Sequence, residues 1–154
     1  MREEKVTINL LNWLESQGWS IICYDFPQSG TGLMFHPNPN VNQNEKNKGG
    51  IIPDIIAIRG SIAVYFENKD RFVKSDFDKL KEIKLLKNYS DGLNELLNKY
   101  RIAKIYYGIG IPSVTKEIDK SKEYLEDVDF LVSTDSDGNV MIHHDINAIF
   151  TTAS

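Results

Sequence analysis

Asp54, Glu67 and Lys69 are the residues whose types and spacing point to chemistry. They fall in two runs, 51–59 and 62–69, rich in Ile, Val, Tyr and Phe and separated by Gly60-Ser61. A Gly-Ser pair between two such runs signals a type II′ hairpin. With Gly60 and Ser61 as the turn, Arg59 faces Ile62 and Asp54 lies opposite Glu67. Lys69, two residues past Glu67, shares that face because side chains alternate along a strand. Carboxylates opposed in this way have Cβ atoms roughly 4.5–5.5 Å apart. At ~5 Å and an effective dielectric of ~20, their repulsion is of order 3 kcal/mol.

The hairpin is otherwise apolar on both faces, with Ile52, Ile56, Ile58, Ala63 and Tyr65 on one and Ile51, Ile55, Ile62, Val64 and Phe66 on the other. Two carboxylates in such a sheet need a compensating cation, a shared proton or a solvated strand end. A hard divalent ion meets the first need: Mg²⁺ prefers oxygen ligands and takes one or two carboxylates together with water and phosphate. Lys69 adds a point charge able to hold a phosphate oxygen or orient an attacking water.

The surrounding elements must position these groups. Val6, Leu10, Leu11 and Leu14 mark a helix over 3–17, closed by Gly18. Residues 19–24 form a short strand. The segment 25–50 follows, with three prolines, five asparagines and four glycines. It is too long for an ordinary connection, leaving a functional loop or a disordered one as the alternatives; the functional reading is a strand-recognition loop whose amides pair with base edges. After the hairpin, a helix begins near Ser75 and runs to about Lys87. Residues 88–92 break it, and a second helical piece continues to Tyr100. A strand covers 102–109, a polar helix 114–126, and a last hairpin joins 130–133 to 140–143 around Asp137-Gly138.

Pro53-Asp54, twelve residues, then Glu67-Asn68-Lys69 resembles the PD-(D/E)xK signature of the restriction-endonuclease-like nucleases. The element order over 3–110 is similar to that superfamily's helix, three strands, helix, strand core. Ser29-Gly30-Thr31-Gly32 resembles the Ser-Gly segment before the Asp strand of archaeal Holliday-junction resolvases. The resemblance implies that Asp54 and Glu67 bind Mg²⁺, for which Mn²⁺ substitutes, with the Asn68 carbonyl completing the set. It implies that Lys69 positions or activates the water. Many members add an acid from the first helix; Glu3, Glu4 and Glu15 are the candidates, and Glu4 is the one expected, with Thr7 at the aligned resolvase position.

The net charge of −4 hides an asymmetry. Residues 71–104 hold nine Lys/Arg against five Asp/Glu, whereas residues 117–145 hold two against nine. A polyanion meets the local field rather than the sum. Arg71, Lys74, Lys79 and Lys81, with Lys46 and Lys48 from the loop, are therefore expected to track a phosphate backbone. The histidines are not expected to be catalytic: His143 and His144 point to opposite faces and His36 stands alone. The single cysteine, Cys23, rules out an internal disulfide and belongs to the core. No run of ~18 apolar residues suits a membrane span, and the first residues do not resemble a secretion signal. A reducing cytoplasm is the expected location.

The expected fold is α/β: a restriction-endonuclease-like αβββαβ core over about 1–111, a central mixed sheet flanked by helices, with a small C-terminal helix and hairpin addition over about 112–154. The expected function is a Mg²⁺-dependent DNA endonuclease. A small type II restriction endonuclease of a restriction system, or its catalytic subunit, ranks before a junction-resolvase-like nuclease. A non-catalytic DNA- or protein-binding subunit of the same fold is the rival from another class. A homodimer is the expected assembly, with a separate recognition subunit as the alternative.

Overall fold

A computed structural model describes residues 1–26, 29–30, 51–86 and 90–150. Its first helix, α1 (Glu3–Ser16), buries Val6, Leu10 and Leu14 completely. Gly18 ends it at φ 86°, where the Trp19 N–H returns to the Leu14 carbonyl at 3.0 Å. The chain then enters β1 (Ser20–Phe26), and a two-residue strand, β2 (Ser29–Gly30), lies against its far end.

The central hairpin pairs β3 (Ile55–Arg59) with β4 (Ile62–Asn68) in the expected register, Ile55 with Phe66 through Arg59 with Ile62. Gly60 has φ 62°, and Ser61 is not among the positive-φ residues, as a II′ turn requires. β3 starts later than the sequence suggested, at Ile55 rather than residue 51. Pro53 has no N–H to give a ladder. The Asn68 amide, which would face a continued β3, donates instead to Asp54 Oδ2 at 2.7 Å.

Two helices follow, α2 (Lys74–Leu86) and α3 (Ser90–Tyr100), and lead into β5 (Lys104–Pro112), parallel to β4. Next come α4 (Thr115–Ser121), a 3₁₀ segment (Lys122–Asp127), β6 (Phe130–Thr134) and β7 (Val140–Asp145). The sheet order is β2-β1-β3-β4-β5-β6-β7, with β4, β5 and β6 parallel and the other pairs antiparallel. Helices cover both faces. One core packs α1 on Ile55, Ala57, Val64 and Phe66; the other packs Phe77, Leu80 and Ile83 of α2 on Ile56, Tyr65 and Ile109. The molecule is therefore an α/β protein with a mixed sheet, and among the described residues no helix is long and apolar enough to cross a membrane.

The C-terminal helix and hairpin are continuous with this sheet rather than an addition beside it. β6 pairs along β5, and Phe130, Leu131 and Val132 are fully buried. Phe150 closes the α1 side, with ring centroids 5.1 Å from Trp13, 5.6 Å from Trp19 and 5.0 Å from Phe130. Asp145 holds that turn by accepting the Ile149 and Phe150 amides, both at 2.8 Å. Phe150→Ala should therefore cost about 3–5 kcal/mol and lower the midpoint of one cooperative denaturant transition. An unchanged midpoint, or a separate early transition, would show that this end does not share the core.

Candidate active site

Alternation along β4 sends its side chains to opposite faces: Phe66 and Asn68 toward α1, Tyr65 and Glu67 toward α2. Asn68 is fully buried, and its Nδ2 donates to Thr7 Oγ1 of α1 at 3.1 Å. Gly110 makes room for this contact, since a Cβ there would run into Leu10 and the Asn68 amide. With its side chain so held, the Asn68 N–H is fixed against the Asp54 carboxylate. Asp54 itself stays on the hairpin, its N–H donating to Phe66 O at 3.0 Å and its carbonyl accepting from Asp25 N at 2.9 Å.

Glu67 is 5% exposed. Its Oε1 accepts from Lys79 Nζ at 2.8 Å, while its Oε2 is buried without a partner. The Tyr65 hydroxyl, two residues back on the same face, is also buried without a partner. An unpaired carboxylate oxygen in a protein interior costs several kcal/mol, on the order of 1–3 for a neutral group and more for a charged one. Burial, then the Glu67 carboxylate, pushes the Asp54 carboxyl up to about 8 against the lowering effect of the Asn68 N–H. Burial and then Glu67 raise Asp76, in the first turn of α2, to about 6.

Lys69 follows the end of β4, its N–H donating to Gly110 O at 3.0 Å. Its ammonium lies 3.4 Å from Glu3 Oε1. Burial works against that charge, but Asp76, Glu3, Glu67 and Asp54 outweigh it and hold Lys69 above the ordinary lysine value.

The structure thus brings Asp54, Glu67, Asn68 and Lys69 to one end of the hairpin. It does not bring Glu4 there. Glu4 is exposed and lines a separate surface cavity with Met1, Arg2, Lys5, Ile8 and Ser136. The first-helix acid that reaches the site is Glu3, because it shares a face with Thr7, one turn on, and with Leu10 beyond. Asp76 and Lys79 were not singled out as members of this cluster. Their only sequence signal is position: an acid and a lysine three residues apart in the first turns of the helix that follows Lys69.

The lysines of α2 do not form an uncompensated row either. Lys79 sits on Glu67, Lys74 lies 3.1 Å from Asp78, Lys81 3.5 Å from Asp127, and Lys84 2.7 Å from Asp129. Arg71 pairs with the adjacent Asp70 at 2.8 Å. Much of the basic 71–104 stretch is thereby balanced within the molecule, two of its partners coming from the acidic 117–145 stretch. Lys46, Lys48, His36 and most of the long polar loop lie outside the described residues. Cys23 is buried, and burial pushes its thiol up to about 11, as a core cysteine requires. His143 meets Ser133 Oγ at 2.7 Å and lies apart from the cluster.

Among the described residues no three His, Cys, Asp or Glu side chains form a ready metal cage. The carboxylates are turned instead to protein donors, Asp54 to an amide and Glu67 to an ammonium. A divalent cation nonetheless fits the donor set: hard oxygens, a buried orphan at Glu67 Oε2, and a second carboxyl that burial and Glu67 disfavour as an anion. Comparison of the chain with family models, with curated proteins and with solved structures finds no match.

The raised carboxyls make stability depend on pH. Asp54 and Asp76 bind protons more tightly folded than unfolded, where an Asp titrates near roughly 4. Folding therefore takes up protons, and stability is greatest below that value and falls as pH rises, through about 6 for Asp76 and about 8 for Asp54. Without divalent metal, Asp54→Asn should flatten this decline and melt higher than wild type at pH 8 (roughly the top of the window). Equal pH slopes for the two proteins in thermal melts would contradict the assignment.

Proposed function

We propose that this chain is a Mg²⁺-dependent DNA endonuclease that hydrolyses phosphodiester bonds, with Asp54, Glu67 and Lys69 as its working residues. The observation that carries the reading is Glu67, a carboxylate 5% exposed with one oxygen unpartnered, beside a half-buried second carboxyl and a lysine. Natural interiors rarely hold such a cluster without a use for it. The mixed sheet with helices on both faces is compatible with the core that the PD-(D/E)xK resemblance implies. The Asp lies just before one hairpin strand, and the Glu-Asn-Lys ends the other. Within the class, a small type II restriction endonuclease or its catalytic subunit, acting as a homodimer, ranks before a junction resolvase.

Asp54 and Glu67 would hold the cation, with Glu3 and Asp76 as the flanking acids. When bound, a divalent cation supplies charge stabilisation at the scissile phosphate and acidifies the attacking water. The chain's own groups do the rest. The Asn68 N–H fixes the Asp54 carboxylate, and the buried Asn68–Thr7 contact fixes Asn68. Glu3 holds Lys69 at the rim. Lys69 keeps its proton among four acids, so it works as a cation that orients a phosphate oxygen rather than as the base.

Supercoiled plasmid incubated with the protein and Mg²⁺ should be nicked or linearised, EDTA should stop the reaction, and Mn²⁺ should restore it. Glu67→Gln and Lys69→Ala should each lower cleavage by about 10²-fold or more. For Lys69→Ala, DNA binding should weaken only modestly. Full cleavage in EDTA, or wild-type rates in both variants, would overturn the proposal.

A further inference from the structure

We propose that Lys79 is a built-in competitor for the cation at Glu67, a latch that stabilises the metal-free site and must leave when metal binds. The inference rests on the metal reading of Asp54 and Glu67 above and concerns how that site is regulated. Lys79 Nζ lies 2.8 Å from Glu67 Oε1, and its side chain is 35% exposed against 6% for the Glu67 side chain. The contact therefore joins a buried anion to a side chain whose stem reaches solvent, so one partner is fixed and the other free to withdraw. Lys69 cannot play this part, because its ammonium is drawn to Glu3 at the rim.

The pairing is incomplete in a telling way. An ammonium is a single charge with three donors, yet it satisfies only Oε1 and leaves Oε2 without a partner. Lys79 compensates the charge of Glu67 without saturating its oxygens. A divalent cation brings twice the charge and accepts several oxygens at once, so one that takes both Glu67 oxygens satisfies what Lys79 leaves open and displaces Lys79 from Oε1. The two cations then compete for Oε1 of one carboxylate.

A consequence follows by linkage. Any polyanion that draws Lys79 outward removes the competitor and tightens metal binding, and metal binding by the same amount frees Lys79 for the polyanion. Metal and a phosphate backbone would then bind cooperatively through one side chain.

Isothermal titration of the full-length protein with Mn²⁺ tests this without reference to cleavage. Lys79→Met should bind Mn²⁺ about tenfold more tightly than wild type, the scale of one charge-assisted hydrogen bond no longer displaced. Lys79→Arg, which keeps the charge, should stay close to wild type. Melting curves supply the control for folding: Lys79→Met should melt below wild type without metal, and Mn²⁺ should raise its Tm by more. Equal or weaker Mn²⁺ affinity in Lys79→Met, with binding still abolished by Glu67→Gln, overturns the latch and leaves the metal site standing. Binding that is absent from every protein, or indifferent to Glu67→Gln, overturns both.

Discussion

The arrangement depends on a carboxylate that the backbone forces into the interior. Glu67 is the penultimate residue of β4, opposite Ile109 of β5 and beside Asp54, and strand alternation turns its side chain to the α2 face, where it is 5% exposed. A group so placed must find a cation, and each neighbouring feature answers that need in part. Lys79 reaches over from α2 to one oxygen. Asp54 holds back its own negative charge, its carboxyl raised by burial and by Glu67. Lys69 is held charged nearby by four acids. The fold tolerates the cluster because two full apolar cores flank the sheet, with Tyr65, Phe66, Phe77 and Leu10 among the fully buried side chains.

Charge is managed across the molecule in the same manner. The Lys84–Asp129 pair is half buried, and Asp129 also accepts the Tyr107 amide at 2.9 Å, so this pair ties α2 to β5 and β6. Lys74–Asp78 is exposed at both ends, and such pairs contribute about 0–1 kcal/mol and yield easily to another anion. A surface that meets a phosphate backbone through α2 would do so by breaking weak pairs of this kind, not by offering free lysines. Lys79 and Lys84 both reach buried carboxylates, but both Asp129 oxygens have partners whereas Glu67 Oε2 has none.

Much of this was legible in the sequence, for local reasons. The hairpin register follows from Gly60-Ser61 and two alternating apolar faces, both encoded within fifteen or so residues, and it put Asp54, Glu67 and Lys69 together. The point where β3 begins was less legible, because it turns on the Asp54 side chain taking the Asn68 amide that would otherwise join the ladder. The choice of Glu3 over Glu4 could be read from the Glu3–Thr7–Leu10 face once Thr7 was known to meet Asn68, a contact between residues 61 apart in sequence. The pairing of α2 lysines was hidden for the same reason: Lys84 and Asp129 are 45 residues apart. The parallel placement of β6 on β5 is likewise non-local, which is why the C-terminal segment read as an addition rather than as part of the sheet.

The central claim is that the buried end of the hairpin is a cation site. A crystal grown with Mn²⁺ and measured for anomalous scattering tests it most directly. The account predicts an anomalous peak within bonding distance of carboxylate oxygens of both Asp54 and Glu67, including Glu67 Oε2, with Lys79 withdrawn from Oε1. Crystals in saturating Mn²⁺ with no peak at these residues, and Lys79 still seated on Glu67, would contradict it.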